Sequence, residues 1–220
     1  MPLHNADPVH VSIDAYTSFP TVVGARSTLE VPGRLRLSVS AGILPDPYLQ
    51  TIDDTAVAND WYDRDTADLI ETMLHNSLLV SAHLGWRPFR KAGFVFEAGY
   101  GFVGLGGGLT GTQVLAAVTG YDLSWMPDPG LDYEAHATLH RLEGSVGWEF
   151  VIRQHVHLQL DVGYSRTMAA TTAVDPDFEV YWPFQTYEAN LEEKAESVLH
   201  DDLVGFVHTP ILAVGAGWRF

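Results

Sequence analysis

The chain has 220 residues, 46% of them hydrophobic and only 18% charged, and its net charge is −16. This length fits a single domain, and the acidic charge excludes nucleic acid as a partner because a phosphate backbone requires a basic surface. The absence of cysteine excludes disulfides and thiolate metal sites, and no apolar run approaches the roughly 18–20 residues of a transmembrane helix.

An alternation of apolar and polar residues with a period of two runs through most of the chain and predicts β-strands with one apolar face. In the segment 155–164, Val156 and Leu158 share one face, whereas His155 and His157 share the other. In chain order, the predicted strands cover residues 9–17, 21–31, 34–44, 77–87, 93–105, 139–152, 155–166 and 210–220. The first strand is the least regular, and one long bent strand is the alternative for the N-terminal region.

The connections between these strands alternate in length. Short ones are predicted at 32–33, 88–92 and 153–154, and long ones at 45–76, 106–138 and 167–209. Residues 18–20 are predicted to form a tight turn on the side of the long loops. Short turns on one side and long loops on the other are typical of membrane barrels. Within the long loops, residues 64–75 and 188–200 have apolar residues at helical spacing, which predicts short helices that cap the barrel mouth.

The polar faces of the strands carry charges of both signs among glycines and serines. This mixture indicates the paired interior of a narrow barrel, since an unpaired buried charge is costly. Aromatic residues also gather at the strand ends, as interfacial girdles do in a bilayer. The predicted interior network consists of Arg26, Glu30, Arg36, Arg87, Glu97, Arg141, Glu143, Glu149, Asp161 and Arg219.

We therefore predict an all-β fold, an antiparallel up-and-down transmembrane β-barrel of eight strands that forms one domain over residues 1–220. A soluble, lipocalin-like cup is the alternative, because a sheet with one apolar face can also point that face inward. A secreted barrel needs a signal peptide, and residues 1–5 lack its basic and apolar regions. We expect that a signal was removed and that Met1 was added.

The C-terminal strand ends in the pattern Gly-x-x-aromatic-x-aromatic, formed by Gly215, Trp218 and Phe220. In this the chain resembles bacterial outer-membrane β-barrel proteins, of the small OmpA-like and OmpX-like class. The resemblance implies residence in the bacterial outer membrane and recognition of this motif by the barrel assembly machinery. Ala213 stands where the family pattern prefers a polar residue.

The long loops hold most of the acidic residues, with eight between 45 and 76 and nine between 167 and 209. Their carboxylates could bind calcium, but no fixed ligand spacing is present, and a solvated acidic face is the simpler interpretation. Divalent ions that bridge these carboxylates to lipopolysaccharide phosphates are a hypothesis based on the charge. We predict no metal site and no cofactor.

The sequence offers no clear catalytic group. No spacing of serine, histidine and acid singles out a nucleophilic site, and His136 and His140 lie too far apart on a strand to chelate a metal tightly. We therefore predict no catalytic residue and favour a structural or interaction barrel that displays acidic loops, with an unknown protein partner. A narrow pore and a lipid-modifying enzyme sited at the outer rim are the alternatives.

Overall fold

The computed structural model describes residues 9–48, 77–89, 93–110, 112, 132–152, 155–176 and 208–220. They form eight strands, β1 (His10–Phe19), β2 (Val22–Val31), β3 (Leu35–Ile43), β4 (Leu78–Trp86), β5 (Phe94–Thr110), β6 (Asp132–Ile152), β7 (Val156–Pro176) and β8 (His208–Arg219). In this part of the chain, no helix is long and apolar enough to cross a membrane.

Each strand pairs antiparallel with its neighbour in sequence, and β1 pairs with β8, which closes the sheet into a barrel. Closure leaves every strand paired on both sides along the barrel wall, so no sheet edge is exposed there. The predicted eight-stranded, up-and-down β-barrel is confirmed. The predicted helices at 64–75 and 188–200 lie outside the described residues.

The apolar side chains of the wall face outward. Leu84 is 71% exposed, Trp86 51% and Val162 60%, whereas the charged side chains on the opposite face of the strands are buried. On β6 the outward apolar band runs from Phe150 to His140, about ten residues, which at about 3.3 Å per residue and a tilt of about 40° spans roughly 25 Å. This matches the apolar band of a transmembrane barrel, and the soluble cup with an apolar interior is excluded.

Three strands are longer than predicted. Residues 106–110, 132–138 and 167–176, expected as loops, belong to β5, β6 and β7. In this upper part the alternation continues, but the apolar residues now face inward and the polar residues face outward. Ala135 and Ala137 are buried, whereas Glu134 and His136 are exposed. The predicted strands therefore end where the outer face stops being apolar, although the strands themselves continue. A β-bulge at His140/Arg141 marks this level.

The first hairpin also differs slightly from expectation. Ser18 pairs with Val22, so the turn comprises residues 19–21 rather than 18–20. The Thr21 amide donates to the Ser18 carbonyl at 2.6 Å, which closes the turn. The observed turn has three residues, like the predicted one. The apolar faces of β1 and β2 therefore remain on the same side of the sheet.

The next turn joins β2 to β3 at the opposite end of the barrel. Gly33 has φ 95° and Arg34 has φ 67°. Both residues therefore adopt the left-handed conformation that tight hairpin turns require. With the β6–β7 turn and the chain end, this turn lies at the end of the barrel opposite the long connections.

Candidate functional site in the barrel interior

A lower cluster of charges lies near the end of the barrel that holds the chain termini. Glu149 is its centre, because its Oε2 lies 2.5 Å from Arg87 Nη2 and 3.0 Å from Arg36 Nη1, and its Oε1 lies 3.7 Å from Arg219 Nη1. Glu30 contacts Arg87 at 3.3 Å and Arg219 at 4.0 Å. The lower cluster thus neutralises most of its charge within itself, as buried ions must.

A middle cluster surrounds Arg26. Its guanidinium forms an ion pair with Glu97 and lies 3.4 Å from the Asp161 carboxylate. Gln159 donates to Asp161 at 2.9 Å and accepts from Arg36 at 3.1 Å, which links the middle cluster to the lower one.

The middle cluster also contains a pair of buried titratable groups. His157 Nε2 lies 2.6 Å from Asp14 Oδ1, and the two side chains are 1% and 2% exposed. Neither group has a well-aligned hydrogen bond to a described residue. The pair is therefore the least satisfied part of the interior that the structure describes.

An upper cluster connects β4, β6 and β7. His83 Nε2 lies 2.9 Å from Glu143 Oε2, Arg141 Nη2 lies 3.7 Å from Glu143 Oε1, and Arg141 Nε donates to Ser165 Oγ at 2.7 Å. Ser81 also hydrogen-bonds Glu143. The serine hydroxyl meets the carboxylate rather than the imidazole, so this group lacks the serine–histidine contact that nucleophilic catalysis requires.

Glycines on the inner face make room for these side chains. A Cβ on Gly147 would lie 1.8 Å from Asp161 Oδ1, and a Cβ on Gly217 would lie 2.1 Å from Asp14 Oδ1. Both distances are far below contact, so these positions exclude any side chain while the carboxylates keep their places.

An apolar layer lies above the polar clusters. Its side chains are at most 8% exposed and include Val22, Leu44, Leu79, Val103, Leu105, Leu139, Ile211 and Ala213. The interior of an eight-stranded barrel is just wide enough for side chains to fill it. The described side chains therefore pack the lumen in successive layers, polar below and apolar above.

All ten residues of the predicted interior network face the lumen. The structure distributes them over the three clusters and pairs each with an opposite charge, the members being Arg26, Glu30, Arg36, Arg87, Glu97, Arg141, Glu143, Glu149, Asp161 and Arg219. The network also contains Asp14, His83 and His157. The same alternation placed these three on the polar face, so the rule that selected the arginines and glutamates could have found them.

The histidines at positions 136, 140, 155 and 157 lie on different faces of the barrel wall. His157 faces the lumen, but His155 lies outside, where its ring stacks on Trp218 with 5.3 Å between centroids, because the β6–β7 turn directs it away from the inner face. His140 lies on the outer face of β6 and hydrogen-bonds the Tyr100 hydroxyl, while His136 lies 3.6 Å from Glu134. No cluster of metal ligands occurs among the described residues.

The three residues of the C-terminal pattern lie on β8 and at the chain end. Gly215 is buried on the inner face, whereas Trp218 and Phe220 point outward and are 49% and 68% exposed. The Phe220 amide donates to the Val11 carbonyl at 2.8 Å. The pattern thus forms part of the seam that closes the barrel.

No family model and no curated protein matches the chain. Among solved structures, it is similar to a major outer membrane protein from Thermus thermophilus, with 17% identity, a TM-score of 0.47, and coverage of 97% of this chain and 100% of the other. It is also similar to Acinetobacter baumannii CarO2, with 10% identity, a TM-score of 0.42, and coverage of 97% and 100%. It is also similar to the N-terminal β-barrel domain of Pseudomonas aeruginosa OprF, with 8% identity, a TM-score of 0.39, and coverage of 96% of each chain.

The identification rests on the barrel itself rather than on these similarities. The wall is closed and has eight antiparallel strands, its outer face is apolar with aromatic side chains at both ends, and its interior holds paired charges. An apolar outer face around a charged interior is the arrangement that a lipid bilayer stabilises. The chain has the architecture of a small transmembrane β-barrel, with eight antiparallel strands and an apolar outer face.

Proposed function

We propose that this protein is a non-conducting barrel with a structural or interaction role, which holds its acidic loops at the outer surface of the bacterial outer membrane. The observation that carries the proposal is the packed lumen. Three clusters of paired charges and an apolar layer lie in series along it, and the side chains of both are at most 17% exposed. This packing supports a plug rather than a solute path.

The acidic charge of the long connections supports the proposal that they are displayed at the outer surface. They leave the barrel at one end, above the apolar layer, and their sequences hold most of the acidic residues. Such loops suit a charged partner. Divalent cations that bridge loop carboxylates to lipopolysaccharide phosphates are the partner chemistry that we favour, since two negatively charged surfaces need a cation between them.

We also propose that Gly215, Trp218 and Phe220 act as the signal read by the barrel assembly machinery. In support, they lie on the strand that closes the barrel, and both aromatic side chains are exposed to the outside. Replacing Phe220 with Ala should leave unfolded protein in the periplasm of expressing cells, while refolding of the purified chain into detergent stays efficient. An equal loss in both settings would show that Phe220 serves stability instead.

Conductance across a planar lipid bilayer tests the central proposal. Purified barrel should give no single-channel steps at moderate voltage. The variant Glu149→Ala removes the centre of the lower cluster and serves as the comparison, and Glu134→Ala, on the outer face, is the matched control. Regular ion-conducting steps from the unaltered protein would establish the pore and overturn the proposal.

Exposure of the long loops at the cell surface needs its own measurement. A short epitope tag inserted into the 45–76 connection should bind antibody on intact cells. A tag in the 88–92 turn should bind only after the membrane is opened. The reverse pattern would show that the barrel is inverted and would remove the acidic loops from the surface.

A further inference from the structure

A groove interrupts the lipid-facing surface between β4 and β7. It has a volume of about 640 Å³ and an almost entirely apolar lining. Its floor lies along one cross-strand row, in which Ala98 and Gly144 stand between Leu84 and Tyr164. The two small residues leave a depression, because the next row towards the chain termini carries the large side chains of Trp86, Phe96, Val146 and Val162.

An outward-facing arginine lies just above the residues that line this groove. Arg166 is exposed on β7, two residues beyond Tyr164 on the same face, which places it about 7 Å farther along the strand. The structure describes five arginines on the strands, and Arg166 alone among them faces the lipid side. The four that face the lumen are Arg26, Arg36, Arg141 and Arg219. Its guanidinium has no carboxylate partner in the described part of the chain.

The level of Arg166 corresponds to the upper boundary of the apolar band. It pairs in register with Leu142, one row below His140, where the Tyr100 hydroxyl meets the imidazole. A cation facing lipid is tolerated near an interface and penalised deeper in the bilayer, and a long arginine side chain can extend towards the headgroups. An anionic lipid headgroup would supply a counter-charge at this position.

We propose that this groove and Arg166 form a binding site for a phosphate-bearing lipid of the outer leaflet, namely the lipid A part of lipopolysaccharide. One acyl chain lies in the groove over Gly144, and a phosphate accepts hydrogen bonds from the Arg166 guanidinium. Charge complementarity selects this occupant, since an arginine can bind phosphate with two parallel hydrogen bonds. The assignment to the outer leaflet rests on the proposed orientation, with the long loops outside.

Native mass spectrometry of the purified barrel in detergent tests the site. The protein is titrated with lipid A, with lipid A lacking its phosphates, and with phosphatidylglycerol. The unaltered protein should retain lipid A most strongly. Arg166→Gln should weaken retention about tenfold or more, the size of a lost hydrogen bond between charged groups, whereas Arg166→Lys should keep part of the binding.

A second pair of variants separates the groove from the charge. A Cβ at Gly144 meets nothing within 4 Å, so Gly144→Leu starts from open space, extends into the groove and should weaken lipid A retention while the barrel still folds. Ala25→Leu, on the outer face of β2 at the opposite wall, is the matched control and should bind like the unaltered protein. Folding of each variant is verified by its mobility shift on unboiled gels.

Several outcomes would overturn the proposal. Equal retention by Arg166→Gln, Gly144→Leu and the unaltered protein would mean that only unspecific annular lipid binds. Equal retention of phosphatidylglycerol would remove the assignment to lipid A. A dimeric unaltered protein together with a monomeric Gly144→Leu would show that a second copy of the chain occupies the groove. None of these outcomes depends on conductance, so the proposed non-conducting role succeeds or fails separately.

Discussion

Glu149 offers the sharpest test of how the interior stabilises the barrel. It contacts Arg87, Arg36 and Arg219 at 2.5, 3.0 and 3.7 Å, and its side chain is 5% exposed. The substitution Glu149→Gln keeps the shape but removes the carboxylate that Arg36 contacts and leaves Arg87 and Arg219 to share Glu30. Removing one partner of a buried ion pair costs about 3–5 kcal/mol, because the remaining charge stays buried without compensation.

The magnitude can be measured by urea unfolding in detergent micelles or lipid vesicles, followed by tryptophan fluorescence and by mobility on unboiled gels. With a urea dependence of about 1–3 kcal/mol per molar, a loss of about 3 kcal/mol lowers the midpoint by roughly 1–3 M. Glu134→Gln, whose side chain is 67% exposed outside the barrel, should change the free energy of unfolding by less than about 0.5 kcal/mol.

A second substitution checks the reasoning. If Glu149→Gln is destabilising because Arg87 loses its nearest carboxylate, then adding Arg87→Gln should restore part of the loss, with a coupling of about 0.5–3 kcal/mol. Strictly additive effects, or a Glu149→Gln variant within about 1 kcal/mol of the unaltered barrel, would refute the view that paired charges hold the lower cluster together.

Two further predictions concern the inner face. Gly147→Ala should lower the free energy of unfolding by about 1–3 kcal/mol, since its Cβ would lie 1.8 Å from Asp161 Oδ1, whereas Gly108→Ala, with nothing within 4 Å of its Cβ, should leave packing unaffected. Ala135→Asp should destabilise the upper part of β6 by about 3 kcal/mol or more by burying an unpaired charge, and His136→Asp, outward and 60% exposed, should be nearly neutral. Urea midpoints measured in the same micelles decide both comparisons, and equal effects of Ala135→Asp and His136→Asp would contradict the reversed chemistry of the upper strand.

The close approach of charges in the lumen was only partly foreseeable. Alternation with a period of two showed that Arg26, Glu97 and Asp161 share the inner face, but not that they contact one another. Arg26 lies 71 residues from Glu97 and 135 residues from Asp161 in the chain. Such contacts across the lumen depend on the register of all strands and on barrel closure, which no local pattern specifies.

The sequence by itself determined the strands within the bilayer, the side of each strand that faces lipid, and the charged residues available for the interior. These follow from local alternation, because successive side chains of a strand point to opposite faces. Only the tertiary structure decided how far β5, β6 and β7 extend above the membrane, since beyond His140 the apolar residues move to the inner face. It alone also brought Leu84, Ala98, Gly144 and Tyr164 into one row beside Arg166, because a groove across four strands exists only once their registers are set.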